Sequence, residues 1–344
     1  MKRRYTFLLF ILFSLLPLPF IIGVFGEEIF YGALWDAISF QIVYISAVLL
    51  YLMTFIRTKN SSKNFFIYKL MWLQEMFIIS GLSGTIIGFV FSLISMGFPP
   101  DPGVDPTMTL ISNLAISMIT LVYGFMGALT VYLIQKYYEM KHDKMDNINV
   151  EKPKEGFLIS SLICFLLLVG FTGLAIQLGT QYIGGIKLLF SSDSIIYHIT
   201  ILIIFILFYR GNSFINLLKN LFWYAPDTET NIIYNLKYIR DMKKILAMII
   251  CIALLCAPIV MLVSFVVEAN NPTVGLKNGA LQFMWILDFI ILLTIIEGRE
   301  VTKLYFQTGK INAGDRFYSI KYILAPSFLL FFTFTFGILI SFIL

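Results

Sequence analysis

The chain has 344 residues, of which 59% are hydrophobic and only 13% are charged, whereas an average soluble domain carries about a quarter charged residues. This composition excludes an ordinary soluble domain and predicts an integral membrane protein. The net charge of +5 is spread along the chain instead of being concentrated in one segment, which argues against a DNA or RNA partner.

Nine apolar runs are long enough, or nearly so, to cross a bilayer as helices, which takes about 20 residues each. We predict an all-α fold: a polytopic membrane helical bundle of about nine transmembrane helices that forms a single integral membrane domain over residues 1–344. The sixth run is the shortest. In chain order the runs are 5–25, 37–56, 76–98, 108–135, 157–180, 194–209, 245–267, 280–297 and 322–344.

The first run follows a basic start, Lys2 to Arg4, and ends near Val24-Phe25-Gly26, which could serve as the cleavage site of a signal peptide. The run is longer than a usual signal core and carries Pro17 and Pro19. We therefore expect a retained helix. Cleavage would leave eight helices and would not invert the others.

The basic residues give the predicted orientation, because Lys and Arg favour cytoplasmic loops. With a cytoplasmic N-terminus, all of the 25 Lys and Arg residues except Lys187 and Lys277 fall on the cytoplasmic side. The C-terminus is then predicted outside.

The spans form two sets of four that both begin on the cytoplasmic side, with the ninth span left over. We consider two possible sub-units, 1–150 with four helices and 151–344 with five, which would be parallel repeats. The sequences of the two halves do not visibly match, so a true duplication stays open.

The third and fourth runs each carry small or short polar residues along one helical face. Small residues let backbones approach closely in lipid, where packing and interhelical hydrogen bonds hold helices together. Two interpretations stay open: the faces pack only against each other, or they also line an ion path or a partner helix. The third run contributes Gly81, Gly84, Thr85, Gly88, Ser92 and Ser95, and the fourth contributes Asn113, Ser117, Thr120, Gly124 and Gly127.

The sequence GLSGTIIG, followed after a turn by ISNLAISMITLVYGFMGALTVYLIQKYY, resembles the paired helices of the MotA/TolQ/ExbB proton-channel family. The resemblance covers residues 76–138. In that family a G-T-x-x-G element of one helix faces a Thr- and Gly-containing element of the next. The resemblance implies that two residues are pore-side hydroxyls and that three are positions of close approach. The hydroxyls are Thr85 and Thr120, and the close-approach positions are Gly84, Gly88 and Gly124.

The same resemblance implies an ion-conducting or force-transducing subunit in the bacterial plasma (inner) membrane. Such subunits form a homo-oligomeric ring around a single-span partner of the MotB/ExbD/TolR kind, which supplies a proton-carrying Asp. We expect this chain to be multi-pass, to contact the lipid bilayer and to work with a partner of that kind.

Between the sixth and seventh runs, the segment SFINLLKNLFW at 213–223 has apolar residues at helical spacing. We expect an amphipathic helix lying on the inner membrane face.

Asp288 stands near the middle of the eighth run. A charged side chain at that depth costs about 2.5–3.5 kcal/mol on insertion scales, so it usually faces the bundle interior and is a candidate proton or cation site. The alternative function is a secondary transporter or lipid-handling permease with Asp288 as its coupling-ion site. A structural carboxyl group hydrogen-bonded to a neighbouring helix stays open as well. Glu75, just before the third run, is interpreted as an interfacial residue.

We expect no enzyme activity, no cofactor and no metal site. Cys164, Cys251 and Cys256 lie in apolar runs without a C-x-x-C pair, which predicts neither a disulfide framework nor a zinc site. The two histidines, His142 and His198, fall on opposite sides of the predicted membrane.

Overall fold

The computed structural model is mostly helical, so the prediction of a helical fold is confirmed for the residues that it describes. A few isolated helical positions, 195–196, 199–200, 203, 322–323 and 326–327, are also described. Most of the first, sixth and ninth apolar runs lies outside the described residues. The main described stretches are 36–54, 63–95, 106–141, 155–180, 216–266 and 274–308.

Six helices and one short antiparallel strand pair make up these stretches. The strands, β1 (Gly156–Phe157) and β2 (Trp223–Tyr224), pair Gly156 with Tyr224 and Phe157 with Trp223. The six helices contain the predicted runs two, three, four, five, seven and eight. They are α1 (Ala37–Thr54), α2 (Lys63–Ser95), α3 (Pro106–Lys141), α4 (Ile159–Thr180), α5 (Glu229–Val266) and α6 (Val274–Thr308).

Two helical segments are long and apolar enough to cross a membrane. They are Phe65–Phe89 within α2 and Ala115–Glu139 within α3, each of 25 residues. Shorter apolar segments are Ile38–Thr54 and Ile159–Leu174.

Three helices extend well into segments that were predicted to be cytoplasmic loops. α2 begins at Lys63 and not near 76, α5 begins at Glu229 and not near 245, and α6 continues to Thr308. The added turns carry apolar side chains at intervals of three and four residues, which a helix places on one face. The buried side chains on this face of α2 are Phe65, Tyr68, Trp72 and Met76. Those on α5 are Ile232, Leu236, Ile239 and Met242.

Side-chain caps fix where two of the helices begin. The Asp36 carboxylate accepts a hydrogen bond from the Ser39 N–H (2.9 Å) at the start of α1. The Thr228 hydroxyl accepts one from the Asn231 N–H (3.4 Å) at the start of α5. Such caps satisfy N–H groups that have no partner within the helix.

The helices form two antiparallel hairpins, α2–α3 and α5–α6. The hairpins meet where α6 packs on α2: the Phe65 and Tyr305 rings stack at 4.7 Å, and Gly298 lies against Trp72. α1 packs on α2, α3 and α4. The core is therefore a bundle in which α2 is covered on two sides, by α3 on one and by α1 and α6 on the other.

The predicted amphipathic helix over 213–223 is wrong in its extent. Residues 216–219 form one helical turn, and the chain then turns and enters β2. Leu217 and Leu221 are buried, as the apolar spacing predicted. The helix stops because Trp223 and Tyr224, both good strand formers, pair with β1 instead.

Candidate functional site

The α2–α3 contact is built on glycine at its closest point. A Cβ atom on Gly81 would lie 2.8 Å from the Gly124 Cα and 3.0 Å from the Thr120 carbonyl oxygen. A Cβ on Gly124 would lie 2.9 Å from the carbonyl oxygen of Phe77. Only glycine permits backbone-to-backbone packing at this distance, as at small-residue helix contacts in membranes.

One turn along α2, two buried hydroxyl groups meet across the contact. Thr85 Oγ1 lies 2.9 Å from Thr120 Oγ1, and the two residues are 6% and 3% exposed. Thr85 also lies 2.9 Å from the Gly81 carbonyl oxygen. Thr120 lies 2.6 Å from the Ser117 carbonyl oxygen and 3.3 Å from that of Gly81.

This hydroxyl pair has more acceptors within reach than hydrogens to donate. Each hydroxyl carries one hydrogen and two acceptor lone pairs. If Thr120 donates to Thr85, Thr85 donates to the Gly81 carbonyl oxygen. If Thr85 donates to Thr120, Thr120 donates to the Ser117 carbonyl oxygen. Since Thr120 also reaches the Gly81 carbonyl oxygen, the pair has several hydrogen-bond arrangements, which differ only by rotation of the O–H bonds.

The remaining residues of the two predicted faces lie in the same contact. Gly84 packs against the Thr120 side chain, and Gly88 packs against Ser117. The Ser92 hydroxyl donates to the Gly88 carbonyl oxygen (2.8 Å). Asn113 is within α3, but its side chain lies outside the described part. The structure thus brings Gly81, Gly84, Thr85 and Gly88 of α2 against Ser117, Thr120 and Gly124 of α3, and the side chains of Ser95 and Asn113 lie outside the described part. A role of these residues in an ion path or at a partner helix stays a prediction.

Asp288 lies apart from this contact, on α6. Its side chain is exposed, although Leu287 and Ile290 beside it are buried. The structure does not place it in the bundle interior, as its position in an apolar run had led us to expect. Its role as a proton or cation site stays a prediction, and His142 and His198 lie outside the described residues.

A second polar site lies where α2, α5 and α6 meet. It consists of seven charged side chains, of which all but Arg240 are at most 4% exposed. Buried charges are costly unless they are paired and hydrogen-bonded, so this concentration is unusual for a helix contact. We call it the charged cluster: Glu75, Arg240, Lys243, Glu297, Arg299, Glu300 and Lys303.

Glu297 is held by two cations of α5. Its carboxylate accepts a hydrogen bond from Arg240 Nε (3.0 Å) and another from Lys243 Nζ. Burial lowers the pKa of the Lys243 ammonium group, and the negative charge of Glu297 opposes that shift. The pairing spans α5 and α6 and joins the two helices of the second hairpin.

Glu300 is paired just as completely, one turn further along α6. Its carboxylate accepts hydrogen bonds from Lys303 Nζ (2.7 Å) and from the side-chain amides of Asn220 and Asn235 (3.1 Å each). It thereby joins α6 both to α5 and to the turn that precedes β2.

Arg299, between these two glutamates, binds backbone oxygen atoms. Its guanidinium donates to the carbonyl oxygens of Met53, Asn220 and Leu221 and to the Ser161 hydroxyl. Burial lowers its pKa to about 10, which leaves it charged at neutral pH. Met53 lies in the last turn of α1, where carbonyl groups have no partner within the helix and attract cations.

The sequence carried a signal for this cluster that the analysis of apolar runs missed. EGREVTK at 297–303 has four charged residues in seven, directly after an apolar run. We assigned these charges to a solvated loop because the apolar run ends there. Glu75 was interpreted as interfacial without any expectation of burial, and the structure shows that it is buried, with 4% exposed.

Among the residues that the structure describes, no group of three or more His, Cys, Asp or Glu side chains could hold a metal ion. Cys164, Cys251 and Cys256 are free thiols.

Comparison with known proteins gives no relative. No protein-family model, no curated protein and no solved structure matches the chain.

Proposed function

We propose that this chain is a multi-pass protein of the bacterial inner membrane, with about nine spans, and that it is an ion-conducting or force-transducing subunit of the MotA/TolQ/ExbB kind. It works in a homo-oligomeric ring with a single-span partner whose helix carries an acidic residue. The α2–α3 hairpin is the helix pair that moves the proton.

The observation that carries this proposal is the hydrogen-bonded pair of Thr85 and Thr120, 2.9 Å apart. Both residues lie inside the segments long and apolar enough to cross a membrane. In this proposal the acidic residue of the partner helix carries the proton, and the hydroxyl pair lines its path. Each hydroxyl can turn its O–H bond toward or away from that carboxyl group, because both have more than one acceptor within reach.

The position of the charged cluster supports the proposed orientation. Glu297, Glu300 and Lys303 follow the middle of α6, on the side of the bundle that the basic residues predict to be cytoplasmic. Charged groups near a helix end are less costly than at the bilayer centre.

The surface of α3 away from α2 supports an assembly in lipid. Its exposed side chains are apolar, including Met118, Phe125 and Leu129. A face of this kind suits lipid or a neighbouring copy of the chain. The transporter alternative would use Asp288, which lies on α6 apart from the α2–α3 contact, and we do not propose it.

The hydroxyl pair is tested by proton flux into vesicles that contain the complex purified from native membranes. Thr85→Val and Thr120→Val each remove one hydroxyl with little change of shape, and flux should fall at least tenfold in each variant. Thr85→Ser keeps the hydroxyl and should conduct.

Thr130→Val is the matched control. Thr130 is also on α3, is 1% exposed and donates to the Met126 carbonyl oxygen of its own helix. It should leave the flux unchanged. Wild-type flux in Thr85→Val and Thr120→Val would contradict the proposal.

A further inference from the structure

The two hairpins carry matching sequences in matching places. α2 has IYKLMWLQEM at 67–76, and α5 has IYNLKYIRDM at 233–242, with Ile, Tyr, Leu and Met at the same positions. The same offset along the chain aligns PTMTL at 106–110, where α3 begins, with PTVGL at 272–276, where α6 begins. These local matches, which a comparison of whole halves does not show, indicate that the hairpins are two versions of one unit.

Inside the chain, the two units meet through unlike helices. α2 is the first helix of its unit, and it packs on α6, the second helix of the other unit. The Phe65 ring stacks on that of Tyr305 (4.7 Å), and Gly298 lies against Trp72, as expected for antiparallel helices. This contact is head-to-tail. A further contact of the same kind would join the remaining two helices, α5 and α3.

The side of α5 that corresponds to a buried side of α2 is exposed and apolar. On α2, four large side chains lie on the side turned away from the glycine contact with α3, and each is at most 6% exposed. They are Tyr68, Leu82, Ile86 and Phe89.

Their counterparts on α5 are each at least 54% exposed. In the same order, these counterparts are Tyr234, Met248, Ile252 and Leu255. The second unit therefore presents on its surface the apolar side that the first unit buries inside the chain.

The outer side of α3 shows the same relation to α6. Ile295 is 2% exposed, and Gly298, three residues further along α6, meets α2. Their counterparts on α3, Leu129 and Tyr132, are 44% and 40% exposed. The match is less close at the level of Gly298, where α3 has the larger Tyr132, than toward the outer end of the helix. α3 therefore presents on its surface the side that α6 buries against α2.

We propose that the exposed side of α5 packs against the exposed side of α3 of a second copy of this chain. The contact repeats between chains the antiparallel, head-to-tail contact that α2 and α6 make within one chain. The inference rests on the proposed function for an assembly of several copies, and it names the surfaces that join them. Because the two surfaces differ, each copy binds a neighbour on both sides, and such contacts close into a ring when the rotation between copies allows it.

The contact within the chain also gives the alignment of the contact between chains. Phe65 lies level with Tyr305, and Trp72 lies level with Gly298. Carried over to α5 and α3 by the sequence match, this alignment places Ile252 level with Met118 of the second copy and Leu255 level with Ala115. All four residues are exposed within one chain. In lipid, close packing of such side chains provides the attraction between helices.

The test is disulfide cross-linking in native membranes, with a chain whose three native cysteines are replaced by alanine. Ile252→Cys together with Met118→Cys should give, after oxidation with copper phenanthroline, a ladder of dimers, trimers and larger multimers on a denaturing gel without reductant. Either substitution alone should give no ladder. Leu255→Cys together with Ala115→Cys is the second test pair and should give the same ladder.

Ile252→Cys together with Leu166→Cys is the matched control. Leu166 lies on α4 and is 60% exposed, and Ile252 is 62% exposed, so the control pair is as accessible as the test pair. The proposed contact does not involve α4, and the control should remain monomeric. A control ladder as strong as those of the test pairs would overturn the inference, because the copies would then meet without a specific surface.

Monomer bands alone from both test pairs also overturn the inference. The exposed sides would then face lipid, or α5 would be covered by residues 194–209, the apolar run that precedes it in the sequence. Proton flux into vesicles is measured with the same variants before oxidation. A ladder without proton flux supports the surface and contradicts the proposed function, whereas flux without a ladder supports the function and contradicts the surface.

Discussion

Arg299 has the most extensive contacts of any single side chain in the charged cluster. Its guanidinium is 1% exposed and touches α1, α4 and the turn before β2, each through an oxygen atom. The planar guanidinium group has five N–H donors and can bind several oxygen acceptors at once. The ammonium group of a lysine has only three donors on one nitrogen atom. Arg299 thereby ties the end of α1 and the start of α4 to the second hairpin.

Replacing Arg299 should lower the free energy of unfolding of the bundle more than replacing an exposed cation does. Arg299→Met leaves buried carbonyl groups without their donor, and we expect the free energy of unfolding to fall by about 3 kcal/mol or more. Arg299→Lys should recover only part of this loss. The measurement is thermal or denaturant unfolding in detergent.

Lys237→Met is the control for this prediction. Lys237 lies on the exposed face of α5, and a substitution there should change the free energy of unfolding by no more than about 0.5 kcal/mol. Equal stability of Arg299→Met and Lys237→Met would show that the carbonyl contacts of Arg299 contribute nothing to folding.

At the scale of elements, the α2–α3 hairpin depends on close approach of two backbones. A methyl group on Gly81 would meet the backbone of α3 and not a side chain that could turn away. Gly81→Ala should therefore push the helices apart and lower the free energy of unfolding by about 1–3 kcal/mol, the usual cost of overpacking. The hydroxyl pair would separate with them, and flux should fall.

On α4, Gly170→Ala should stabilise the protein, in contrast to Gly81→Ala. A Cβ atom there meets no atom within 4 Å, so the substitution only improves helix propensity, by up to about 1 kcal/mol. Unfolding midpoints of the two variants in one detergent compare them directly. A stabilised Gly81→Ala protein would mean that α2 and α3 do not pack as described.

The sequence predicted that the described helices exist, but not where α2 and α5 begin or where α6 ends. Apolar runs mark the C-terminal parts of α2 and α5 and the middle of α6, because lipid-compatible length and composition are local properties. The added turns at Phe65 and Ile232 become buried only through contacts with other elements, which no single run reveals. For the same reason, Trp223 and Tyr224 joined a strand whose partner lies far away in the chain.

The candidate site, too, was predictable from the sequence only in part. The small-residue faces were predictable, because glycine and threonine at helical spacing have few uses other than close packing. The burial of Glu75 and Glu297 was not predictable from the sequence, since a charged residue at the end of an apolar run normally faces water. Its burial follows only from the meeting of α2, α5 and α6.

For the whole molecule, a comparison of α2 with α5 shows how the packing of the two hairpins differs. α2 has IYKLMWLQEM at 67–76, and α5 has IYNLKYIRDM at 233–242, with Ile, Tyr, Leu and Met at matching positions. When this alignment of α2 with α5 is continued toward the C-terminus, Gly81, Gly84 and Gly88 correspond to Ala247, Ile250 and Leu254. The latter three are buried.

At two of these three positions, Ile250 and Leu254, the second hairpin therefore packs with bulky side chains where the first uses glycine. Cys251 stands where Thr85 stands in α2. A hydroxyl pair at close helix approach is thus a feature of the first hairpin, whereas the second hairpin is joined by the ion pairs of Glu297 with Arg240 and Lys243.

The most direct test of the proposed assembly is the mass and composition of the intact complex, isolated in mild detergent from native membranes. We expect several copies of this chain together with a smaller protein that has one membrane span and an Asp in its helix. A monomer without such a partner would contradict the proposed function and would reduce the α2–α3 contact to packing within one chain.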